Sequence, residues 1–464
     1  MLTYNLQKDA KLPLYEALYR NIRDDILSGV LHAGERLPSK RALAEHLNVS
    51  KVTVENAYAQ LIAEGFVRTV PKSGCFVEKV ERIERKLSAS MPTASIAAPK
   101  TWLADYTRSS TTPECFPFTT WAKLMRRVIL DSSTALLDET PFNGAPELRN
   151  AIAGYLYRFR ALHVSPEQII IGAGSEYLYQ LLIQLVGREK RWAVEDPGYR
   201  KVSRILHANG VALSAISLDG EGIRIDALQS AHADIVHLSP THHFPTGIVT
   251  PMRRRQQLLQ WACEGEGRII LEDDYDSEFR FGTRPIPTLQ SLDGAHRVVY
   301  INTFSKTMAP SLRISYMVLP QPLMERYRAE LSFYACTVPV FEQLTLARFI
   351  DEGYFEKHLN RAGKYYKGIR EELLRAFASS SAAPRLRVSA GDSGLHFLIH
   401  VRTDKTEEQL SQALAREGVA VNFLSRYYED SAAHANERTL VINYAGVGRD
   451  NACAIVDALE KMLL

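Results

Sequence analysis

Cysteine is scarce and scattered in this chain. Its five copies, Cys75, Cys115, Cys263, Cys336 and Cys453, are odd in number and never form a C-x-x-C pair. That excludes a disulfide framework or a zinc ribbon and favours free thiols in a reducing compartment. Long apolar runs are missing too. No stretch reaches the roughly 20 residues that cross a bilayer. The start, Met1-Leu2-Thr3-Tyr4-Asn5-Leu6, lacks the apolar core of a secretory signal. A cytoplasmic protein is expected. Charge imbalance is also absent. The net charge is +3, and residues 1–80 hold 11 Lys+Arg against 9 Asp+Glu, so composition alone identifies no nucleic-acid binder. His242-His243 is the single adjacent histidine pair, with no cysteine or third histidine at ligand spacing, so no metal site is expected.

With 464 residues the chain is too long for one ordinary core, and two or three domains are expected. Residues 1–80 carry a legible pattern. Leu14, Leu18, Ile22 and Ile26 recur every four residues, as on one face of a helix. After a turn at Leu31–Pro38, Ser39 caps a second helix with Lys40 and Arg41 in its first turn. A third helix starts at Ser50, with Val54, Ala57, Tyr58 and Leu61 as its buried stripe. Residues 66–70 and 75–77 read as two short strands around Pro71-Lys72-Ser73-Gly74. Helix, turn, helix and a two-stranded wing make a winged helix-turn-helix, whose third helix enters the major groove. The candidate DNA contacts are Arg36, Ser39, Lys40, Arg41, Ser50, Lys51, Thr53 and Lys72.

Residues 81–115 lose this periodicity and turn rich in Ser, Ala, Pro and Thr, which reads as a linker. From residue 116 onward, helical patterns alternate with the short apolar runs 169–171, 235–238, 268–271 and 298–301. Such runs predict an α/β domain with a mostly parallel sheet covered on both faces. Its large part is expected over about 140–340, and a smaller α/β part over about 341–464.

Four segments at the ends of these runs suit one chemistry. Lys306 follows Thr303 and Ser305 and precedes Arg313. A lysine among hydroxyls with a nearby arginine is what pyridoxal 5'-phosphate needs: the amine forms a Schiff base with its aldehyde, and the others hold its phosphate. Gly172-Ala173-Gly174-Ser175-Glu176 is a Gly-rich turn opening a helix, a source of backbone N–H groups for a phosphate. Tyr199 follows Asp196-Pro197-Gly198 and could stack on a pyridine ring or be an ordinary loop tyrosine. Glu272-Asp273-Asp274-Tyr275 places three acids at the end of a buried strand, where a carboxylate can keep a pyridine nitrogen protonated.

Residues 37–77 resemble the GntR family of bacterial regulators, and residues 116–464 resemble a fold-type I aminotransferase. The combination is similar to the MocR (GabR-like) transcriptional regulators, on Glu272–Arg280, Thr303–Tyr316, Ser239–Gly247 and Gly144…Leu148-Arg149. The resemblance implies operator binding by a head-to-tail homodimer and a small-molecule effector, either the vitamer or an amino compound. It also implies that Lys306 carries the cofactor, Asp273 pairs with the ring nitrogen, Tyr275 bonds the ring oxygen and Tyr199 stacks on the ring. Gly174, Ser175, Glu176, Ser305 and Arg313 would hold the phosphate. Three positions depart from the pattern. Lys51 stands where the family usually has arginine. Val441 occupies the arginine position of the R-x-N-x-A stretch that clamps a substrate carboxylate, with Arg438 as a substitute only in a shifted register. Phe244 replaces an asparagine that bonds the ring oxygen. The expectation is a regulator whose aminotransferase-like domain lacks efficient turnover. The alternative is an active aminotransferase with an appended DNA-binding module.

Overall fold

The computed structural model describes residues 2–4, 6, 12–80, 101–108, 111–132, 134, 136–281, 286–389, 391 and 393–463. The chain divides into two compact units, 1–98 and 99–464. Among the described residues no helix is long and apolar enough to cross a membrane.

The first unit contains α1 (Leu14–Ser28), α2 (Lys40–Leu47), α3 (Lys51–Ala63), β1 (Val67–Val70) and β2 (Gly74–Val77). Its core gathers Leu18, Ile22 and Ile26 of α1 with Leu43 of α2, Val54, Ala57, Tyr58 and Leu61 of α3, and Val67 and Val77 of the hairpin. The four-residue spacing in α1 and the i, i+3, i+4, i+7 stripe in α3 meet in this core. The Tyr58 hydroxyl donates to the Pro38 carbonyl at 3.0 Å, which ties α3 to the turn before α2.

In the second unit come β3 (Ala104–Asp105), α4 (Phe118–Asp131), α5 (Pro146–Arg160), β4 (Ile169–Gly172), α6 (Ser175–Val186), β5 (Trp192–Asp196), α7 (Arg200–Ala208), β6 (Leu213–Asp219), β7 (Gly222–Ile223), α8 (Ile225–Ser230), β8 (Ile235–Leu238), α9 (Met252–Glu264), β9 (Ile269–Asp273), α10 (Leu289–Leu292), β10 (Val298–Thr303), α11 (Phe304–Thr307) and β11 (Ser315–Val318). An eight-stranded sheet runs β4-β11-β10-β9-β8-β5-β6-β7. The strands β10, β9, β8, β5 and β6 pair in parallel, whereas β11 is antiparallel to both neighbours. Both faces are covered. Leu271, Val299, Ile301 and Met317 pack under α6 and α7, while Ile270, Val298 and Val236 pack under α8 and α9. Burial on both sides is why these runs read as continuous Val/Ile stretches.

Then follow α12 (Gln321–Glu330), α13 (Val340–Asp351), α14 (Tyr354–Ser379), β12 (Leu386–Ser389), β13 (His396–Val401), α15 (Glu407–Arg416), β14 (Val419–Ala420), β15 (Asn422–Phe423), β16 (Thr439–Asn443) and α16 (Ala454–Leu463). A second sheet, β12-β13-β16-β15, packs against α14, α15 and α16.

Two expected boundaries move. Residues 81–100, 109 and 110 of the expected linker lie outside the described residues, but the rest of its C-terminal part is folded. Strand β3 pairs with β14, Tyr106 and Cys115 are buried, and the Tyr106 hydroxyl donates to the Ala452 carbonyl at 2.5 Å. The run Trp102–Tyr106 is too short to show a period, so only its partner strand reveals it. The smaller part also starts later than about 341. Leu346, Phe349 and Ile350 of α13 pack with Leu148 and Ile152 of α5 and Leu124 of α4, in the core of the large part.

Asp274 anchors this core electrostatically. It accepts from Arg160 Nη2 at 2.5 Å, Tyr300 Oη at 2.7 Å and Ser277 Oγ at 2.9 Å. Arg160 is 6% exposed. Asp274→Ala leaves that guanidinium buried without its counter-charge, and such losses cost about 3–5 kcal/mol. Urea unfolding of the variant is expected to show a midpoint lowered accordingly.

Candidate functional site

In the first unit the candidate DNA contacts separate into helix caps and surface cations. The Ser39 hydroxyl accepts from Ala42 N at 3.2 Å, and that of Ser50 accepts from Thr53 N at 3.1 Å while bonding Thr53 Oγ1 at 2.8 Å. These hydroxyls shape the starts of α2 and α3. Arg41 pairs with Glu45 at 3.0 Å and Lys51 with Glu55 at 3.3 Å, one helical turn on. Exposed pairs of this kind are weak and exchange readily for phosphate. Lys40 opens α2. Lys72 sits exposed at the tip of the β1–β2 turn with φ +61°. Arg36 lies across the hairpin at Gly74, where an added Cβ would come within 3.2 Å of its Nε. The sequence reading missed Val52. It is 61% exposed beside Lys51, an apolar surface of the type that contacts a thymine methyl.

In the second unit a cavity of about 380 Å³ opens where β5, β8, β9 and β10 end. Ser175, Glu176, Tyr199, Asp273, Tyr275, Thr303, Ser305, Lys306 and Arg313 all line it. Gly174 is not a wall residue but shapes the wall. With φ +92° it precedes α6, and a Cβ there would overlap the Arg313 guanidinium. No side chain caps α6, so its first backbone N–H groups remain available to an anion. Besides lining the cavity, Thr303 caps α11. Its hydroxyl accepts from Ser305 N at 3.1 Å and bonds Ser315 Oγ at 2.8 Å, which fixes the turn that presents Lys306.

Electrostatics concentrate at two ends of the cavity. At one, the Glu176 carboxylate accepts from both Lys201 and Arg313. Burial opposes its ionisation, but those two donors outweigh it and hold the carboxyl below its ordinary range. At the other, Asp273 accepts from the Tyr179 hydroxyl at 2.7 Å, and His237 Nε2 stands 3.5 Å away. Glu195 lies behind them, 5% exposed, accepting from Ser239 N at 2.9 Å. Burial pushes it up to about 8. Lys306 lies between the ends, its Nζ 6.0 Å from the Tyr275 ring centroid. Burial drives its amine down to about 8, although Asp276 and Asp273 pull the other way.

Several residues at the site carried no recognisable sequence signal. Tyr179 and His237 approach Asp273 from α6 and β8. Lys201, Tyr427 and Thr107 line the cavity itself, as does Ser239 from the run 239–247 that carries the family resemblance. Phe244 belongs to an aromatic wall, with ring centroids 4.9 Å from His396, 5.1 Å from Tyr427 and 6.0 Å from Tyr199. The pair His242-His243 diverges. His242 Nδ1 meets Asp276 Oδ2 at 2.9 Å and His396 lies beside it, whereas His243 Nδ1 bonds Thr246 Oγ1 at 2.7 Å. A third histidine far along the chain therefore joins His242, which ligand spacing in the sequence could not show. Val441 is 1% exposed and packs with Leu398, Leu424 and the partly buried Phe244, Tyr427 and Tyr428. Arg438 precedes β16 and is absent from the cavity wall among the described residues.

The donor set fits pyridoxal phosphate on its own chemistry. The start of α6, Ser305, Arg313 and Lys201 suit a phosphate. Lys306 offers an amine of lowered basicity for an aldehyde. Asp273, backed by Tyr179, suits a protonated ring nitrogen.

A winged helix-turn-helix unit joined to a doubly covered α/β unit with a half-buried lysine in its cavity defines the class: a DNA-binding regulator built on an aminotransferase-type fold. The comparisons agree. The bacterial regulatory protein gntR family matches residues 14–77, and the aminotransferase class I and II family matches residues 105–459. The uncharacterized HTH-type transcriptional regulator YdeL of Bacillus subtilis is 37% identical over 99% of this chain and 98% of its own length. The probable rhizopine catabolism regulatory protein MocR of Rhizobium meliloti is 32% identical, covering 99% and 95%. The pyridoxine biosynthesis transcriptional regulator PdxR of Corynebacterium glutamicum is 27% identical over 90% and 89%. A Pyrococcus horikoshii kynurenine aminotransferase, solved in complex with PMP, shares the fold of the second unit. Its TM-score is 0.67 at 23% identity over 78% of this chain and 91% of that one. The chain belongs to the MocR-type HTH transcriptional regulators, in which a gntR-family domain is fused to an aminotransferase-like domain of a pyridoxal-phosphate-dependent fold family.

Lys306 would offer its neutral amine as the nucleophile toward the aldehyde of pyridoxal phosphate. With that amine at about 8, capture of pyridoxal phosphate is expected to accelerate from pH 7 to about 9 and then level off. An unperturbed lysine would keep accelerating past about pH 10. Stopped-flow absorbance across this range checks it, with Lys306→Ala as the blank.

Proposed function

We propose that the second unit binds pyridoxal 5'-phosphate at Lys306 and works as a sensor, altering operator binding when the vitamer arrives or when an amine reaches the bound cofactor. When bound, the cofactor supplies an aldehyde for primary amines and an electron-withdrawing ring. The rest falls to this chain. Asp273 holds a proton at the ring nitrogen, Tyr199 and Phe244 wall the ring, and the start of α6 with Ser305 and Arg313 grips the phosphate. Glu176 already occupies Arg313 and Lys201, so a phosphate entering here competes with it for both cations. That competition gives the cavity two arrangements and is a basis for sensing.

One observation carries the choice of sensor over enzyme. Val441 lies in an apolar cluster with Leu398 and Leu424, so no guanidinium stands where a substrate carboxylate would be clamped. An amino acid loses both affinity and orientation without it. The name of PdxR, tied to pyridoxine biosynthesis, supports the vitamer as an effector. By the family resemblance the working unit is a cytoplasmic head-to-tail homodimer.

Turnover tests this reading. With amino donors and keto acids, conversion is expected to stop at one equivalent per site or below. Sustained multiple turnovers would establish the enzyme instead. The operator complex is expected to weaken steeply with salt as phosphates recover their counterions. Arg41→Ala and Lys51→Ala should each weaken it and lower the salt slope by about 1, measured by fluorescence anisotropy. Unchanged slopes would remove both residues from the interface.

A further inference from the structure

The cavity continues past Lys306 into a small recess of about 10 Å³. That is the room of a single water, or of an ammonium group of similar size. Asp276, His396, Asn443 and Tyr275 border it together with Lys306. Asp276 is 3% exposed. Its partner is His242 Nδ1 at 2.9 Å, and no lysine or arginine pairs with it among the described residues. Lys306 is the cation nearest this carboxylate; once the cofactor engages Lys306, a carboxylate this buried favours another cation beside it.

His396 does not supply that cation. Its Nε2 lies 3.1 Å from the Pro245 carbonyl. A carbonyl only accepts, so Nε2 bears the hydrogen and Nδ1 presents a lone pair. Burial first, then His242, His243 and Lys306, hold the ring far below its ordinary basicity, so it stays neutral. The two rings stand 4.7 Å apart. Gly394 makes the approach possible, since a Cβ at its φ of +78° would overlap the His242 ring. The recess thus offers a carboxylate and a ring nitrogen as acceptors, and the apolar surroundings of Val441 offer nothing to an anion.

We propose that this recess, bounded by Asp276, His396 and Asn443, is a subsite for the second amino group of a short aliphatic diamine and selects such compounds as effectors. The inference rests on the sensing role assigned above to the Lys306 cavity. One amino group points toward Lys306, and the other sits against Asp276. A monoamine gains nothing from Asp276, and an ω-amino acid sets a carboxylate against it.

Calorimetric titration of the full-length, pyridoxal-phosphate-loaded protein with 1,4-diaminobutane, butylamine and 4-aminobutanoate tests this, with operator affinity measured beside each. In the wild type the diamine is expected to bind at least about tenfold tighter than butylamine, the worth of one charge-assisted hydrogen bond, and 4-aminobutanoate weakest. Asp276→Asn should bring the diamine-to-butylamine ratio close to one. His396→Phe, which keeps the ring packing, should reduce it as well, so the test survives if one variant fails to fold. Equal wild-type affinities for diamine and butylamine would overturn the proposal. So would a ratio that survives Asp276→Asn, or an equal loss of both ligands, which would tie Asp276 to Lys306 alone. If pyridoxal phosphate still moves operator affinity in those cases, the sensing role stands and only the diamine subsite falls. If neither vitamer nor amine moves it, both fall.

Discussion

Three consecutive carboxyl groups, Glu272, Asp273 and Asp274, close a strand buried in the middle of the large sheet, and the second unit is organised around accommodating them. Strand alternation sends Asp273 to one side and its neighbours to the other. Glu272 accepts from Leu289 N and Gln290 N at 2.8 and 2.9 Å and so starts α10, while Asp274 binds Arg160, Tyr300 and Ser277. Those two solutions are internal and permanent. Among the described residues Asp273 receives the Tyr179 hydroxyl and the edge of His237, which leaves its cavity-facing side for a ligand. Tyr275 and Asp276 follow directly in the chain, so one strand end delivers both the carboxylate that faces the cavity and the carboxylate of the recess.

Lys306 takes its character from this arrangement. It follows β10, the parallel neighbour of β9 with Ile301 opposite Asp273, and the Thr303 hydroxyl holds the turn that lifts it into the cavity. Burial makes it a better nucleophile near neutral pH than a surface lysine, while Asp273 and Asp276 stop it from losing its charge altogether. The same cavity that favours a covalent partner at Lys306 gives no purchase to a carboxylate at Val441. On the proposed reading the cavity captures without efficient turnover, as a receptor does, and the gntR-type unit supplies something for a receptor to control.

Local patterns in the sequence were enough for the winged helix, the parallel strands and the residues grouped around Lys306, because each depends on neighbours a few positions away. Ser39 and Ser50 were legible as helix starts, and their hydroxyls turn out to be spent there. What stayed hidden depends on distant pairs. Tyr179 and His237 reach Asp273 from 94 and 36 positions away in the chain. His396 joins His242 across 154. The strand Ala104–Asp105 exists only because Val419–Ala420 lies beside it, and α13 looked like part of the smaller sheet's layer until its contacts placed it against α4 and α5. The sequence did reveal that Val441 replaces an arginine, but not that an apolar cluster takes up the space.

The central claim is that chemistry at Lys306 is coupled to DNA binding. Operator affinity measured with and without pyridoxal phosphate, in the wild type and in Lys306→Ala, tests it most directly. The account predicts a several-fold change in the wild type that vanishes in Lys306→Ala while that variant still binds DNA. An identical response in both proteins, or none in the wild type, would contradict it.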